Sequence, residues 1–125
     1  MRIGVFGLGY VGIVSAGCLA REGHTIVGVD TQRAKVELVN SGRSPIIEAQ
    51  IDSIVADAVQ HGRLRATVES AEAIDQCDLS LVCVGTPSST NGSLDLRHVR
   101  AVCREIGAAI KLTNKRGHVV TMRST

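Results

Sequence analysis

The stretch RIGVFGLGYVG, residues 2–12, places an apolar run directly before three glycines at the spacing G-x-G-x-x-G. The run Arg2–Phe6 predicts a strand covered on both faces, because it is almost continuously apolar and is bounded by glycine. Gly7 allows a tight turn off this strand, Gly9 leaves the backbone open to close approach, and Gly12 lets the following helix pack near the strand. The N–H groups at the start of that helix suit an anion such as a pyrophosphate.

An acidic residue supports this interpretation, since glycine loops alone are common. Asp30 ends the next predicted strand, Thr25–Asp30, roughly 20 residues beyond the glycines as a dinucleotide-binding fingerprint requires. We expect Asp30 to accept hydrogen bonds from the adenosine ribose, and its charge to repel a 2′-phosphate, which favours NAD over NADP. Arg33 and Lys35 lie just beyond and weaken that preference, because a nearby cation can hold a 2′-phosphate. We interpret Arg33 as a solvated surface charge.

The remaining chain alternates strands and helices, which predicts an α/β fold with a parallel sheet and right-handed crossovers. We expect a Rossmann-like doubly wound sheet of about five strands, in the order 3-2-1-4-5 and lacking the sixth strand, with residues 1–125 as one domain. The other strands are predicted over Leu64–Val68, Leu79–Val84, which is expected to be fully buried, and His118–Met122. The helices are predicted over Val11–Glu22, Gln32–Ser41, Ser70–Asp75, a segment with the stripe Ile47, Ile51, Ile54, Val55, Ala58 and Val59, and a segment capped by Asp95 with Leu96, Val99, Cys103, Ile106 and Ile110 on one face.

A loop after the fourth predicted strand, Val84–Ser88, is a second candidate site. Ligands of such sheets lie over the carboxyl ends of the first and fourth strands, so Thr86 is placed to face the cofactor. The alternative is that its Thr, Ser and Pro residues only make turns.

Composition excludes several function classes. The only aromatic residues are Phe6 and Tyr10, and the formal net charge is +2, which argues against a nucleic-acid partner. No apolar run is long enough to span a membrane. Glycines interrupt the apolar start of the chain, so we do not interpret it as an export signal.

The cysteines indicate neither a disulfide framework nor a metal site. Cys18, Cys77, Cys83 and Cys103 form no C-x-x-C, and the histidines do not fall at zinc-ligand spacings from them. We therefore expect no metal, and reduced, buried thiols in a cytoplasmic protein.

Five motifs occur in order along the chain: Met1–Gly12, Gly28–Asp30, Gly42–Ile46, Cys83–Pro87 and Met122–Thr125. Together they resemble the NAD-binding domain of the UDP-glucose/GDP-mannose dehydrogenase family. Asn91–Leu96 and Val102–Gly107 are similar to its GDP-mannose branch.

The resemblance implies oxidation of the sixth-carbon alcohol of a sugar nucleotide, GDP-mannose first, to a carboxylate, as in the synthesis of alginate-type polysaccharides. Two NAD molecules would be consumed, through a thioester on a catalytic cysteine. Tyr10 and Val11 would contact the pyrophosphate through backbone and Lys35 would lie near the adenosine ribose. Thr86 and Thr125 would lie toward the nicotinamide. Together with the glycine motif, the implied cofactor-binding residues are Gly7, Gly9, Tyr10, Val11, Gly12, Asp30, Lys35, Thr86 and Thr125.

Two departures from the family pattern stand out. Ala49-Gln50-Ile51 replaces the usual Pro-Gly-Leu after Glu48, so we expect the following helix to begin earlier. The sequence stops at Thr125, before the family's sixth strand, central helix and sugar-nucleotide domain, and no cysteine here matches the catalytic motif. We therefore expect a fragment of a longer homo-oligomeric dehydrogenase, inactive alone and prone to self-association through its uncovered sheet edge.

Other functions remain open at this stage. The chain could serve a UDP-glucose-type 6-dehydrogenase or a hydroxyacid dehydrogenase, because fold does not fix substrate. It could also be a regulatory nucleotide-sensing module like those that gate channels and transporters. Gly85-Thr86-Pro87 and Arg123-Ser124-Thr125 argue against that alternative.

Overall fold

The computed structural model describes residues 1–124, which alternate between strands and helices. The strands are β1 (Arg2–Phe6), β2 (Thr25–Val29), β3 (Leu64–Thr67), β4 (Leu79–Val82) and β5 (Val119–Met122). The helices are α1 (Tyr10–Arg21), α2 (Arg33–Asn40), α3 (Ala49–Gln60), α4 (Ser70–Gln76) and α5 (Arg97–Thr113). Most boundaries fall within one or two residues of the predicted ones.

Every strand pairing in the sheet of residues 1–124 is parallel, and the strand order is β3-β2-β1-β4-β5. This confirms the predicted fold. Phe6 is level with Val29 on one side and with Val82 on the other, so the three central strands end together. The chain order reverses between β1 and β4, and a ligand crevice is expected outside the carboxyl ends of the strands at this point.

Apolar cores cover both faces of the sheet, because successive strand residues point to opposite sides. Val5 and Ile26 belong to a core shared with α1, α2 and α3, whereas Phe6 and Val27 belong to a core shared with α4 and α5. Gly17 of α1 has Ile54 of α3 so close that an added Cβ would lie 2.8 Å from it. The helices α1 and α3 therefore pack closely against each other on this face of the sheet.

The fourth strand is less buried than the sequence predicts. In β4 only Ser80 and Val82 are buried, while Leu79 and Leu81 are half-buried, so the expectation of a fully buried strand is wrong. All of β5, at one edge of the sheet, is exposed, whereas β3 at the other edge is mostly buried. The buried Ser80 hydroxyl meets His118 Nε2 at 2.7 Å and thereby ties β4 to the start of β5.

The inward face of α5 agrees only in part with the predicted one. Ile106 is buried and Ile110 packs against the same core as predicted, and Ala109 and Val102 join them, but Leu96 and Cys103 are exposed. The true stripe faces α4, with which α5 makes its main contact.

Smaller corrections concern helix ends and thiols. Asp95 is not the N-cap of α5, which is Leu96, although an Asp95 oxygen accepts the Arg97 N–H at 3.0 Å. Ile47 lies outside α3 and is fully exposed. The α3 helix starts at Ala49, where the family usually has proline.

All four cysteines are free, but Cys103 is exposed and Cys18 half-buried, so the expectation of buried thiols holds only for the other two. Within residues 1–124, every helix is too short or too polar to cross a membrane.

Candidate functional site

A cleft of about 360 Å³ lies at the carboxyl ends of β1, β2 and β4, where the topology predicts a ligand. A cavity of about 390 Å³ at the opposite end of α1 contains none of the predicted site residues. Among residues 1–124, the cleft is lined by Phe6, Gly7, Gly9, Val29, Asp30, Thr31, Gln32, Lys35, Cys83, Val84, Gly85, Pro87, His98, Ala101, Val102 and Glu105.

The three glycines of the motif meet different surroundings. Gly7 has a φ of +99°, and a Cβ there would lie 3.0 Å from the backbone of Cys83 and Val84. A Cβ on Gly12 would lie 1.6 Å from the Gly7 carbonyl oxygen, which no side chain can tolerate. An added Cβ on Gly9 would meet no protein atom of the described chain within 4 Å. Gly7 and Gly12 are therefore required by the fold, whereas Gly9 borders open space.

The amino end of α1 is built to receive an anion. Gly9 is its N-cap, with extended backbone, and within residues 1–124 no side chain caps the helix and no acidic residue stands in its first turn. The first helical bond runs from the Ile13 N–H to the Gly9 carbonyl at 2.9 Å, so the preceding N–H groups have no acceptor inside the helix. Tyr10 and Val11 lie outside the lining of the cleft and expose their side chains, so their predicted contact with a ligand would be made by backbone N–H groups.

Asp30 follows β2 directly and holds the glycine loop. Its Oδ2 accepts the Leu8 N–H and its Oδ1 accepts the Gln32 N–H, each at 2.9 Å. A carboxylate offers about four lone-pair sites, so roughly two remain for ribose hydroxyls. The sequence fingerprint identified Asp30 but not its bond to Leu8.

The side chain of Leu8 fixes the same loop from below. It is fully buried, and a Cβ on Gly28 of β2 would lie 2.9 Å from its Cδ2 atom. Position 28 therefore has little room for a side chain, because Leu8 occupies the space above it.

The two cationic residues beyond Asp30 differ in their burial and in their position relative to the cleft. Lys35 is half-buried and lines the cleft, whereas Arg33 is exposed and lies outside the lining. This agrees with the interpretation of Arg33 as a solvated charge, and it places Lys35 on the Asp30 side of the cleft.

The loop after β4 forms the other rim. Gly85 and Pro87 line the cleft, while Thr86 between them is half-buried and lies outside the lining of the described residues. Cys83 lies beneath the loop, and burial raises the pKa of its thiol, which opposes nucleophilic reactivity.

The chain after β5 is anchored to the same loop. The Ser124 hydroxyl donates to the Val84 carbonyl at 2.7 Å and also contacts the Val82 carbonyl at 3.3 Å. Sequence reasoning did not single out Ser124. Thr125, the last predicted cofactor residue, lies outside the described residues.

One wall of the cleft escaped the sequence analysis altogether. It consists of four residues of α5: His98, Ala101, Val102 and Glu105. Their helical spacing i, i+3, i+4, i+7 is the sequence signal that places them on one face of the helix. Glu105 is held in place, since its Oε2 accepts the Ser70 hydroxyl at 3.1 Å.

Comparison with known proteins agrees with this geometry. Residues 1–125 match the UDP-glucose/GDP-mannose dehydrogenase family, NAD binding domain. The chain belongs to this family. Its cofactor is therefore NAD, as the Asp30 carboxylate predicted.

Among relatives of this family, a GDP-mannose 6-dehydrogenase from Pseudomonas putida is 49% identical over 125 residues, which are all of this chain and 28% of that protein. A UDP-glucose 6-dehydrogenase from Pseudomonas aeruginosa is 38% identical over 111 residues, or 89% of this chain and 24% of that protein. The chain thus spans about a quarter of the length of these family members.

Solved structures of the family share the fold. A ternary complex of GDP-mannose dehydrogenase from Pseudomonas aeruginosa superposes with a TM-score of 0.96 at 49% identity, over 100% of this chain and 28% of that chain. A UDP-glucose dehydrogenase from Pyrobaculum islandicum gives a TM-score of 0.92 at 37% identity, over 99% and 28%. Family membership favours a dehydrogenase over a regulatory nucleotide sensor.

Proposed function

We propose that this chain is the N-terminal NAD-binding domain of a nucleotide-sugar 6-dehydrogenase that oxidises GDP-mannose to GDP-mannuronate. The observation that carries the NAD site is the uncapped amino end of α1 beside Asp30. The choice of GDP-mannose rests on 49% identity over the whole chain, against 38% for a UDP-glucose enzyme. UDP-glucose is the second candidate substrate.

The domain would hold NAD in an extended pose over the central strands. The N–H groups between Gly9 and Gly12 would bind the pyrophosphate, since they point outward at the positive end of the α1 dipole. Asp30 would accept from the adenosine ribose hydroxyls, and Lys35 would lie beside the same sugar. Thr86 and Thr125 are proposed to lie toward the nicotinamide.

When bound, NAD would supply the chemistry of the proposed oxidation as the hydride acceptor. The chain's own residues bind and orient it. Asp30 excludes a 2′-phosphate by charge, because two anions within hydrogen-bond distance repel strongly where water is partly displaced. Cys83 keeps its proton beneath the loop after β4 and is not proposed as a nucleophile.

The proposed oxidation needs groups beyond this domain. None of its cysteines stands as an activated thiol in the cleft, so we assign the catalytic cysteine and the sugar-nucleotide pocket to the rest of the enzyme. We propose a cytoplasmic location and a homo-oligomeric assembly for that enzyme.

Calorimetric titration tests the binding half of this proposal. NAD and NADH should bind the purified chain, and NADP should bind at least tenfold more weakly. Equal or tighter binding of NADP, or no heat with either NAD or NADH on folded protein, would contradict it.

Turnover tests the substrate. An enzyme that carries this domain in its complete reading frame should form NADH from NAD and GDP-mannose, and more slowly from UDP-glucose. A clear preference for UDP-glucose would favour the second candidate and would leave the NAD site untouched.

A further inference from the structure

The α5 wall of the cleft has no assigned role. Glu105 lies about two turns further along α5 than His98, which stands at the beginning of the helix near the loop after β4. Ala101 and Val102 lie between them and present small apolar groups to the cleft. The wall therefore has a polar side chain at each end and an apolar centre.

The proposed pose of NAD decides which part of the dinucleotide meets this wall. With the pyrophosphate at Gly9 and the ribose at Asp30, the attached base must occupy the remaining space between the end of β2 and α5. That space is floored by Phe6 and Val29, which are buried side chains at the ends of β1 and β2. A flat aromatic base suits such an apolar floor, and a base needs polar partners only at its edge.

Glu105 is suited to contact that edge. The side chain lines the cleft and its Oε2 accepts the Ser70 hydroxyl at 3.1 Å, so we take its other oxygen as the acceptor for the base. A carboxylate only accepts hydrogen bonds. The 6-amino group of adenine donates them, whereas the 6-oxo group of hypoxanthine is an acceptor and would meet Glu105 with like partial charges.

We propose that Glu105 accepts a hydrogen bond from the 6-amino group of the NAD adenine and thereby selects adenine over hypoxanthine in the base subsite. This inference rests on the proposed NAD function and adds a specificity-determining residue to it. Ser70 is the positioning residue, because it acts on the base only through Glu105.

A purely structural role for Glu105 makes a different prediction. Glu105 contacts the first residue of α4, and a negative charge near a helix amino end stabilises that helix. In that case substitution would alter the stability of the fold, but it would leave the ratio of affinities for the two bases unchanged.

Calorimetric titration of the chain with NAD and with nicotinamide hypoxanthine dinucleotide separates these roles. The unsubstituted chain should bind NAD roughly ten- to hundredfold more tightly, the effect of losing one charge-assisted hydrogen bond. E105Q should lose or reverse this preference, because its amide can donate to a 6-oxo group while its oxygen still accepts from Ser70. Glu37→Gln is the matched control, since Glu37 is exposed on α2 and outside the cleft lining, and it should retain the preference.

Each result has a distinct meaning. Tight NAD binding with an unchanged base preference in E105Q would overturn the role of Glu105 and leave the NAD site standing. Equal or tighter binding of the hypoxanthine dinucleotide by the unsubstituted chain would do the same. Absence of NAD binding by folded protein would overturn the proposed function itself. Thermal unfolding of both variants reports whether folding is intact.

Discussion

Two glycines of one motif should fail for different reasons when each is replaced by alanine. In Gly12→Ala the new Cβ would lie 1.6 Å from the Gly7 carbonyl oxygen, so the turn between β1 and α1 must move. In Gly9→Ala the new Cβ meets no described protein atom within 4 Å, and φ is already −77°, which alanine adopts freely. Gly12→Ala should therefore destabilise the fold, whereas Gly9→Ala should only fill space that the ligand would occupy.

The expected magnitudes differ accordingly. Overpacking costs about 1–3 kcal/mol where side chains can shift, and Gly12 faces backbone, so we expect at least about 3 kcal/mol lost from the free energy of unfolding. For Gly9→Ala, the loss of a glycine N-cap and the smaller entropy of the unfolded chain roughly cancel, so stability should change by less than about 1 kcal/mol. Displacing one charge-assisted phosphate contact at Gly9 should weaken NAD binding roughly ten- to hundredfold.

Urea unfolding and calorimetry with NAD on the same preparations measure both quantities. Gly107→Ala is the matched control, because Gly107 is an exposed α5 glycine whose added Cβ also meets no described atom within 4 Å and which lies outside the cleft. The reasoning is refuted if Gly9→Ala binds NAD as tightly as the unsubstituted chain, or if Gly12→Ala keeps its stability.

Further measurements test the site and its surroundings. Asp30→Asn should weaken NAD binding about tenfold by calorimetry, because a charged acceptor of ribose hydroxyls is lost; unchanged affinity would remove Asp30 from the site. Burial lowers the pKa of His118 below its usual 6.5, so the unfolded chain binds more protons and the free energy of unfolding should fall as pH drops below about 6.5. Urea unfolding at several pH values should show this loss, and His118→Gln should reduce it. A thiol reagent should label exposed Cys103 quickly in folded protein but Cys83 only on unfolding; rapid labelling of Cys83 would contradict its burial. The exposed apolar strand β5 should promote self-association in sedimentation runs, and Val120→Lys should reduce it; a clean monomer at high concentration would contradict this.

The glycine motif and the strands could be predicted because their signals are local. The run Arg2–Phe6 is almost continuously apolar, and within the following turn Gly7 has a positive φ and Gly12 faces the Gly7 carbonyl oxygen. The face of α5 could not be predicted in the same way, because apolar residues lie on more than one side of it. Packing against α4 turns Val102 inward and leaves Cys103 exposed, and that choice depends on a neighbour distant in sequence.

Asp30 shows the same limit at the site itself. A sequence fingerprint marks its position relative to the glycines, but the acceptance of the Leu8 N–H depends on how β1 and β2 align. No spacing rule along the chain signals such a bond. The α5 wall has a regular spacing, yet without the fold nothing relates His98 or Glu105 to a crevice formed by β1 and β2.

The two bonds of Asp30 make the ribose site and the phosphate site one unit. The carboxylate that would bind the ribose hydroxyls also accepts the N–H of Leu8, which lies between the glycines of the proposed pyrophosphate site. Replacing Asp30 with a residue that has no acceptor would relieve the repulsion of a 2′-phosphate. It would also leave the half-buried Leu8 N–H without its partner, which should lower the free energy of unfolding by about 1–3 kcal/mol. A change of preference from NAD to NADP therefore requires a substitute that still accepts from Leu8, so a short polar side chain should succeed where alanine loses affinity for both cofactors.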